Sequence, residues 1–310
     1  MTYLVVIQYQ PQHLARKHTI CLVNIPVGND ITIAGVRNGQ GPPLLLLHGF
    51  PQNHLIWHKV APKLIQNFTL IIPDLRGYGA SSKPTSKDTN DHSLYSKSTM
   101  ATDMVSLMDS LNYPKFHICA HDRGARLAHK LCIDHPDKVE KCILLDICPT
   151  KAMYTASQHP FALLYWHWFF LTQAAPFPED VIGAAPALFA RKTLPSKALY
   201  GETAYAAYAA QFEDAETVHG MCEDYRASAK EDIEEQKADE AAGRKIRCPL
   251  RVLWGTEGVV GKLFDAKAEW RRVCVEGALD EEGSFAVEGG HFIPEERPED
   301  VVRCVLEFFR

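Results

Sequence analysis

The sequence predicts an α/β protein with a mostly parallel, doubly wound sheet and an inserted helical segment. Strand-like apolar runs alternate with helical patterns through the first half of the chain and again near its end, which is typical of a parallel sheet with intervening helices. Runs such as residues 44–47 (LLLL) are apolar throughout, as expected for strands covered by helices on both faces. Residues 149–245 instead contain helical stretches rich in aromatic residues, alanine and proline. We therefore expect a core of residues 1–149 and 246–310 and a helical cap domain of residues 150–245.

The individual elements follow from local patterns. Residues 18–25 and 30–36 alternate and are rich in β-branched side chains, which predicts two antiparallel strands joined by Gly28 and Asn29. Further strands are expected at residues 44–47, 69–73, 116–120, 139–147, 249–254 and 285–287, and helices at residues 57–66, 98–111, 126–133 and 301–309. Residues 82–95 are loop-like, residues 1–17 show no clear pattern, and the charged residues 231–245 predict a solvated helix face.

Composition and charge narrow the classes of partner. The 310 residues are 46% hydrophobic and 23% charged, as in ordinary soluble proteins. The formal net charge of -5 gives no reason to expect nucleic acid or an anionic membrane as a partner. Nine scattered cysteines without a CxxC pair indicate free thiols in a reducing compartment. The apolar start of the chain is too short for a membrane span and lacks the basic residues of a signal peptide, so we expect a cytoplasmic protein.

The hexapeptide HDRGAR at residues 121–126 is the strongest local signal for chemistry. It lies between a strand-like apolar run and a helical pattern, with small residues at Ala120 and Gly124. A strand, a sharp turn and a helix are the context in which hydrolases expose a nucleophile. The central side chain here is the carboxylate of Asp122, which can displace a leaving group from a saturated carbon and form an ester.

Two arginines accompany this carboxylate. Arg123 follows Asp122 directly, and Arg126 lies four residues after Asp122, on roughly the same helix face. Guanidinium groups would keep the carboxylate ionised and could clamp the carboxylate of a substrate. A purely structural alternative is a helix that begins with an acidic first turn and carries surface arginines.

Four motifs together resemble the α/β-hydrolase family: HGFP at residues 48–51, DLRGYG at 74–79, the HDRGAR turn, and GHF at 290–292. The arginine after the aspartate, and the second arginine three positions later, resemble more narrowly the haloacetate (fluoroacetate) dehalogenases. Relatives that act on neutral haloalkanes or epoxides usually have tryptophan after the aspartate. The segments YWHW (165–168) and MCEDYR (221–226) are also similar to that family. The resemblance extends from about residue 18 to residue 310.

This resemblance implies an Asp-His-acid catalytic set. Asp122 would be the nucleophile, and His291, in a glycine-rich loop after the last strand, would be the base that activates water. Asp146, at the end of the strand LLDI, would orient the imidazole. Glu257 remains an alternative for the acid, because many hydrolases carry it in the loop after the strand that ends at residue 254.

The resemblance also implies binding roles. The backbone N–H groups of Phe50 and Arg123 would form an oxyanion hole, and the side chains of Arg123 and Arg126 would hold the substrate carboxylate. A halide pocket would consist of ring N–H and phenol O–H donors in the cap, with Trp166 competing for the tryptophan position and ordinary packing as the structural alternative. The residues of this pocket are His167, Trp168 and Tyr225.

The sequence indicates neither a cofactor nor a metal. No GxGxxG or GxxxxGK[ST] stretch is present, so no nucleotide cofactor is implied. His54 and His58 have the i, i+4 spacing of metal ligands, but no HExxH glutamate or third ligand accompanies them, and a helix face explains them better. The absence of GxSxG argues against a serine esterase.

We therefore expect an enzyme that hydrolyses the carbon–halogen bond of short 2-haloacids such as haloacetate, with fluoroacetate as one candidate. The expected route passes through an aspartyl ester and gives the 2-hydroxy acid and halide. An epoxide hydrolase with the same Asp-His chemistry is the main alternative, and it would need two cap tyrosines to protonate the epoxide oxygen. A hydrolase of another small carboxylate and a non-enzymatic scaffold with this fold are further alternatives. The resemblance also suggests a homodimer.

Overall fold

Eight strands form one mixed sheet in the computed structural model, which describes residues 21–28, 30–194 and 196–310. The strands lie in the order β1-β2-β4-β3-β5-β6-β7-β8. β2 pairs antiparallel with β1 and β4, and all other neighbours are parallel. The strands are β1 Cys21–Gly28, β2 Ile31–Gly39, β3 Pro43–Leu47, β4 Thr69–Pro73, β5 Phe116–His121, β6 Val139–Leu145, β7 Leu250–Gly255 and β8 Phe285–Val287. The predicted sheet is confirmed, whereas residues 1–17 and the start of the first predicted strand lie outside the described residues.

The central strands are buried on both faces, as the apolar run of β3 predicted. Successive strand side chains point to opposite faces, and all four leucines of β3 are fully buried. Leu45 and Leu47 join a cluster that includes residues of the next helices and of the region between β6 and β7, while Leu44 and Leu46 join a second cluster with the C-terminal helix. This arrangement confirms the doubly wound architecture.

The helices of the core lie largely where the spacing of apolar residues predicted them. Before the inserted region they are α1 Ala61–Leu64, α2 Lys97–Ser110 and α3 Asp122–Asp134. The prediction of one helix over residues 57–66 is wrong, since this stretch contains the end of a 3₁₀ turn, His54–Trp57, and the four-residue α1. Proline lacks the N–H for an i→i−4 bond and clashes with the preceding turn. Pro62 therefore fits only the first turn of α1.

Between residues 150 and 245, all described regular structure of the chain is helical. These helices are α4 Thr150–Thr155, α5 His159–Leu164, α6 Trp166–Leu171, α7 Phe177–Ala184, α8 Pro186–Thr193, α9 Lys197–Tyr200, α10 Glu202–Ala210, α11 Ala215–Ala229 and α12 Glu231–Ala241. The expectation of a solvated helix face over residues 231–245 is only partly right. One side of α12 is buried, where Asp239 pairs with Lys130 at 2.9 Å and Asp232 lies 3.3 Å from Lys97.

After the insertion the chain forms β7, and the helices α13 Val259–Leu263 and α14 Ala266–Val273 follow. After β8 the last helices are α15 Ile293–Glu296 and α16 Pro298–Phe308. The carboxyl ends of β3, β5, β6, β7 and β8 meet at one edge of the sheet, which is where ligands bind in open α/β sheets. Among the described residues, no helix is both long and apolar enough to cross a membrane. The eight cysteines whose side chains are described are buried and free, as the sequence predicted.

Candidate active site

Asp122 occupies the sharp turn between β5 and α3. It is the first residue of α3, and its φ of 48° lies in the left-handed region, which costs a non-glycine residue about 1–3 kcal/mol. Two glycines permit the close approach of the surrounding chain. A Cβ on Gly124 would lie 2.4 Å from the carbonyl oxygen of His48, and a Cβ on Gly49 would lie 2.4 Å from Oδ1 of Asp122. The structure thus confirms the predicted strand, turn and helix around this carboxylate.

The Asp122 carboxylate is buried and held in the ionised form. Its Oδ1 accepts a hydrogen bond of 2.9 Å from the backbone N–H of Phe50, and its Oδ2 lies 3.5 Å from Nε2 of His291. Burial alone would raise the pKa of Asp122, but the hydrogen bond and charge of His291, together with the charge of Arg123, hold it well below its usual range. The carboxylate is therefore available as an anionic nucleophile at neutral pH.

His291 is oriented by Asp146. Nδ1 of His291 lies 2.6 Å from Oδ2 of Asp146, whose other oxygen accepts a 2.9 Å hydrogen bond from the N–H of Gly255. Asp146 is fully buried, and its φ of 52° is also left-handed. The alternative acid, Glu257, is 71% exposed and faces Lys262. The structure therefore brings Asp146, and not Glu257, to the imidazole.

The imidazole lies between two carboxylates, and this determines its charge. Burial alone would lower the pKa of His291, but its interactions with Asp122 and Asp146 raise it to about 10. At neutral pH the ring is consequently an imidazolium in the free protein. It can act as a base only after one of the two carboxylates has lost its charge.

Arg126 is a buried guanidinium that forms no ion pair within the described part of the chain. Nη1 donates to the carbonyl oxygen of Cys148 at 3.2 Å and to Oγ1 of Thr150 at 3.1 Å, and Nη2 lies 3.1 Å from the sulfur of Met153. Nε has no partner among these residues, and the guanidinium carbon lies 4.8 Å from the centre of the Trp168 indole. Burial and the charge of Arg123 lower the pKa of Arg126, so an anion at this place would relieve an uncompensated charge.

Arg123 differs from Arg126 because its fork is already occupied by Asp224. Nε and Nη2 donate to the two carboxylate oxygens of Asp224 at 2.9 and 2.7 Å, and Nη2 also donates to Oγ of Ser228 at 2.5 Å. Only Nη1 lacks a partner among the described residues. Of the two guanidinium groups predicted to hold the substrate carboxylate, Arg123 therefore has one nitrogen to offer.

The partners of Arg123 belong to a buried network that the sequence did not reveal. Asp224 also pairs with Lys97 and accepts a 2.7 Å hydrogen bond from the hydroxyl of Tyr78. Lys97 lies 3.3 Å from Asp232 in turn. Among the described residues this network contains two cations and two carboxylates, so its charges balance, and Arg126 forms no ion pair there. The acidic residue next to Tyr225 in MCEDYR was the available signal for it.

The three side chains of the expected halide pocket lie together and belong to α6 and α11 of the helical insertion. The ring centre of Tyr225 is 5.8 Å from that of His167 and 6.3 Å from that of Trp168. His167 stacks on Phe50 at 5.6 Å, which brings the group next to Asp122. Burial lowers the pKa of His167 to about 3 and raises that of Tyr225, so both are neutral donors.

Trp166, the competing tryptophan, faces elsewhere. Its ring centre lies 5.7 Å from Phe189 and 6.1 Å from Phe170, within the helical insertion. Trp168 instead stacks on Tyr165 at 5.3 Å and is 2% exposed. The structure therefore brings Trp168 to the site.

Two tyrosines near the site were not predicted. The hydroxyl of Tyr154 is buried without a partner among the described residues, and its ring lies 4.7 Å from that of Trp168. The hydroxyl of Tyr165 lies 3.4 Å from Nδ1 of His291. Aromatic residues crowd this part of the sequence, so no spacing distinguished these two from packing residues.

Comparisons with known proteins agree with the fold described above. The model of the alpha/beta hydrolase fold family matches residues 42–298. A fluoroacetate dehalogenase from Burkholderia sp. is 40% identical over 284 residues, which cover 90% of this chain and 90% of that protein. A soluble epoxide hydrolase from Corynebacterium sp. (strain C12) is 32% identical, with 88% and 92% of the two chains covered. A crystal structure from Nostoc sp. PCC 7120, provisionally described as an alpha/beta hydrolase, superimposes with a TM-score of 0.87 at 42% identity, covering 94% and 98% of the two chains.

Proposed function

The chain belongs to the alpha/beta hydrolase fold family and is an enzyme of the haloacetate dehalogenase-like kind; from this premise we propose that it hydrolyses the carbon–halogen bond of short 2-haloacids such as haloacetate. The observation that carries the proposal is Arg126, a buried guanidinium without an ion-pair partner in the described chain, one helical turn after Asp122. A buried charge of this kind is costly unless a ligand pairs with it. A small carboxylate is the ligand that fits.

In the first step the substrate carboxylate binds Arg126 and the free Nη1 of Arg123. This places the carbon that bears the halogen in front of the Asp122 carboxylate. An Asp122 oxygen attacks that carbon, the carbon–halogen bond breaks, and the halide leaves with the bonding electrons. Neutral N–H and O–H donors of His167 and Tyr225 receive the halide in a site closed by aromatic rings. The product is an ester of Asp122 with the 2-hydroxy acid.

In the second step water hydrolyses this ester. Esterification removes the negative charge of Asp122, so the pKa of His291 falls from its value of about 10 in the free protein and the ring can become a base. His291 takes a proton from water, and the hydroxide attacks the carbonyl carbon of the ester. The N–H of Phe50, already bound to Oδ1 of Asp122, and the N–H of Arg123 stabilise the oxyanion. The ester bond then breaks, the leaving alkoxide oxygen takes the proton from His291, and the 2-hydroxy acid and the Asp122 carboxylate are released.

A halide-release assay on fluoro-, chloro- and bromoacetate tests the proposal. Native enzyme should release halide with turnover, and Asp122→Asn should release none, since a neutral amide is a poor nucleophile at saturated carbon. His291→Ala should release halide in an amount close to that of enzyme and then stop, and mass spectrometry should find the adduct on the peptide that contains Asp122. Absence of halide release from all three acids by the native enzyme would contradict the proposal.

Epoxide hydrolysis is the second candidate, because the site contains tyrosine hydroxyls that could protonate an epoxide oxygen. Tyr165 lies beside His291, Tyr225 lies beside Phe50, and the hydroxyl of Tyr154 has no partner in the described chain. A neutral epoxide would leave Arg126 buried and unpaired, which favours the haloacid. The two candidates are separated by exposing the enzyme to a neutral epoxide and to chloroacetate in parallel. Faster turnover of the epoxide would favour this second candidate.

We further propose that the protein is a homodimer that pairs through the helical insertion. Large apolar side chains are exposed on neighbouring helices of α5 to α8, and patches of this kind mark interaction surfaces. Their exposed fractions range from 42% to 66%, for Leu163, Phe169, Phe177, Val181 and Leu188. Light scattering after size exclusion should give twice the chain mass of 34.7 kDa, and Leu188→Glu with Phe177→Glu should give a monomer. A native monomer at micromolar concentration would contradict this proposal.

A cytoplasmic location is also proposed. It is supported by the buried free cysteines, which suit a reducing compartment. Fractionation of cells should place the protein with cytoplasmic markers.

A further inference from the structure

The loop that carries His291 is held by the carboxylate of Glu296, the last residue of α15. Oε2 of Glu296 accepts a hydrogen bond of 2.5 Å from the N–H of Gly290, and Oε1 accepts one of 2.9 Å from the N–H of Phe292. One carboxylate thus bridges the two peptide N–H groups that flank the catalytic histidine. In the described chain Glu296 forms no ion pair, so its hydrogen bonds go to this loop.

The glycines of the loop allow the carboxylate to come this close. A Cβ on Gly290 would lie 3.0 Å from Oε1 of Glu296, and a Cβ on Gly289 would lie 3.2 Å from Oε2. Both distances are shorter than ordinary carbon–oxygen contacts, so larger residues would push the carboxylate away from the backbone. Glycine at positions 289 and 290 therefore makes room for the Glu296 carboxylate.

A third hydrogen bond fixes the same backbone from the side of the nucleophile. Nε2 of His121 lies 2.7 Å from the carbonyl oxygen of His291. A carbonyl oxygen only accepts, so Nε2 carries the proton and donates it. Burial lowers the pKa of His121 to about 3, which keeps this ring neutral. The backbone on both sides of His291 is thus anchored at three points.

This anchoring matters most in the second step of the proposed reaction. In the free protein the imidazole is held between Asp146 at 2.6 Å and Asp122 at 3.5 Å. When Asp122 becomes an ester, the ring loses the attraction of one carboxylate at the moment when it must aim at water. The position of the ring then depends on Asp146 and on the backbone that carries it.

We propose that Glu296 is a positioning residue that holds the His291 loop in place, so that the imidazole stays directed at the aspartyl ester during hydrolysis. This inference rests on the proposed two-step reaction for its kinetic consequence. The clamp itself, a carboxylate bridging the two N–H groups beside His291, is a property of the protein without substrate.

The kinetic test measures halide displacement and ester hydrolysis separately in two variants. Glu296→Ala removes both acceptor oxygens, and Glu296→Gln keeps one. Single-turnover release of chloride from chloroacetate should remain within about twofold of native in both, because displacement needs no base. Hydrolysis of the ester should slow by roughly ten- to hundredfold in Glu296→Ala and less in Glu296→Gln, since a misplaced base loses part of its contribution. The matched control is Glu299→Gln, because Glu299 is exposed and pairs with Lys63. We expect native rates for both steps in this variant.

A second readout needs no substrate and separates failure of the clamp from failure of the proposed function. The proton between Nδ1 of His291 and Asp146 should give a far-downfield proton NMR signal in native protein, because the two atoms lie 2.6 Å apart. Glu296→Ala should broaden or shift this signal and lower the pH at which it disappears, and Glu299→Gln should not. The inference is overturned if the Glu296 variants keep the native signal and titration, or if both chemical steps slow by the same factor. If Glu296→Ala shows the expected NMR changes but the native enzyme does not act on haloacetate, the proposed function is contradicted and the role of Glu296 as a clamp is still supported.

Discussion

Replacement of Arg126 by leucine should greatly reduce activity on haloacetate and change the stability of the protein only slightly. Hydrogen bonds to charged groups contribute about 1.5–3 kcal/mol each, and a guanidinium fork offers two of them to a substrate carboxylate. Their loss of about 3–6 kcal/mol corresponds to a decrease of roughly 10²- to 10⁴-fold in kcat/KM, at about 1.4 kcal/mol for each factor of ten. Arg126→Lys keeps the charge but not the fork, and we expect an intermediate loss.

The same replacement should cost little stability. Arg126 forms no ion pair in the described chain, so its removal relieves a buried unpaired charge. The hydrogen bonds that Cys148 and Thr150 lose offset part of this relief, and we expect a change within about 2 kcal/mol. Arg226 is the matched control, because it is equally buried but pairs with Glu179 at 2.7 Å and with a second glutamate. Arg226→Leu should lose about 3–5 kcal/mol, measured by urea unfolding.

The assay compares chloroacetate with chloroacetamide, a neutral substrate of nearly the same shape. Arg126→Leu should lose activity on the acid far more than on the amide, because only the acid has a carboxylate to bind. Halide release is followed for both substrates under the same conditions. Equal loss on acid and amide would refute the assignment of Arg126 to the substrate carboxylate and would indicate a packing role.

Three further predictions follow from the geometry of the site. Tyr225→Phe and His167→Ala should reduce turnover of fluoroacetate more than that of bromoacetate, since fluoride is the poorer leaving group and needs donors already in place; equal losses would point to packing. In rapid-quench experiments the halide burst should be constant from about pH 6 to pH 9, while ester hydrolysis should slow as the pH falls and His291 of the ester becomes protonated; a burst that titrates in this range would contradict the assigned charges. Asp224→Asn should lower the free energy of unfolding by about 3–5 kcal/mol, because it leaves Arg123 and its neighbouring lysine without their shared carboxylate; an unchanged urea midpoint would show that the network does not need this charge.

The sequence predicted those parts of the site whose residues lie in short motifs. The turn at Asp122 was predictable because the strand, the small residues and the helix are adjacent in the chain. His291 was predictable from its glycine-rich loop after the last strand, and Asp146 from its place at the end of a buried strand. Their proximity was predictable because parallel strands end at the same edge of a sheet, and in the structure His291 lies 3.5 Å from Asp122 and 2.6 Å from Asp146.

The partners of these residues were not predictable in the same way. Asp224 is 101 residues from Arg123 and 127 from Lys97, and their pairing depends on how α11 packs against the core. Glu296 is close to His291 in sequence, but its role depends on a loop that turns back on itself over a few residues. A list of acidic side chains cannot distinguish a solvated carboxylate from one that binds two backbone N–H groups.

The prediction of secondary structure and burial was wrong where a proline or a buried ion pair outweighed the pattern of apolar and charged residues. Residues 57–66 have helical periodicity, yet Pro62 prevents one α-helix from running through this stretch, because its ring clashes with the preceding turn. The charged helix α12 was predicted to be solvated because the sequence does not show which of its carboxylates pair with buried lysines. Asp232 and Asp239 are buried because Lys97 and Lys130 reach them from the core.

The origin of the new oxygen in the product tests the central claim most directly. Native enzyme in excess over chloroacetate is allowed one turnover in oxygen-18 water, and the glycolate and the peptide that contains Asp122 are analysed by mass spectrometry. If Asp122 attacks carbon and water then attacks the ester carbonyl, the first glycolate carries the light oxygen of the carboxylate, and the heavy oxygen appears on Asp122. Heavy oxygen in the first glycolate, with an unlabelled Asp122, would mean that water attacks the substrate directly and would contradict the assignment of Asp122 as nucleophile.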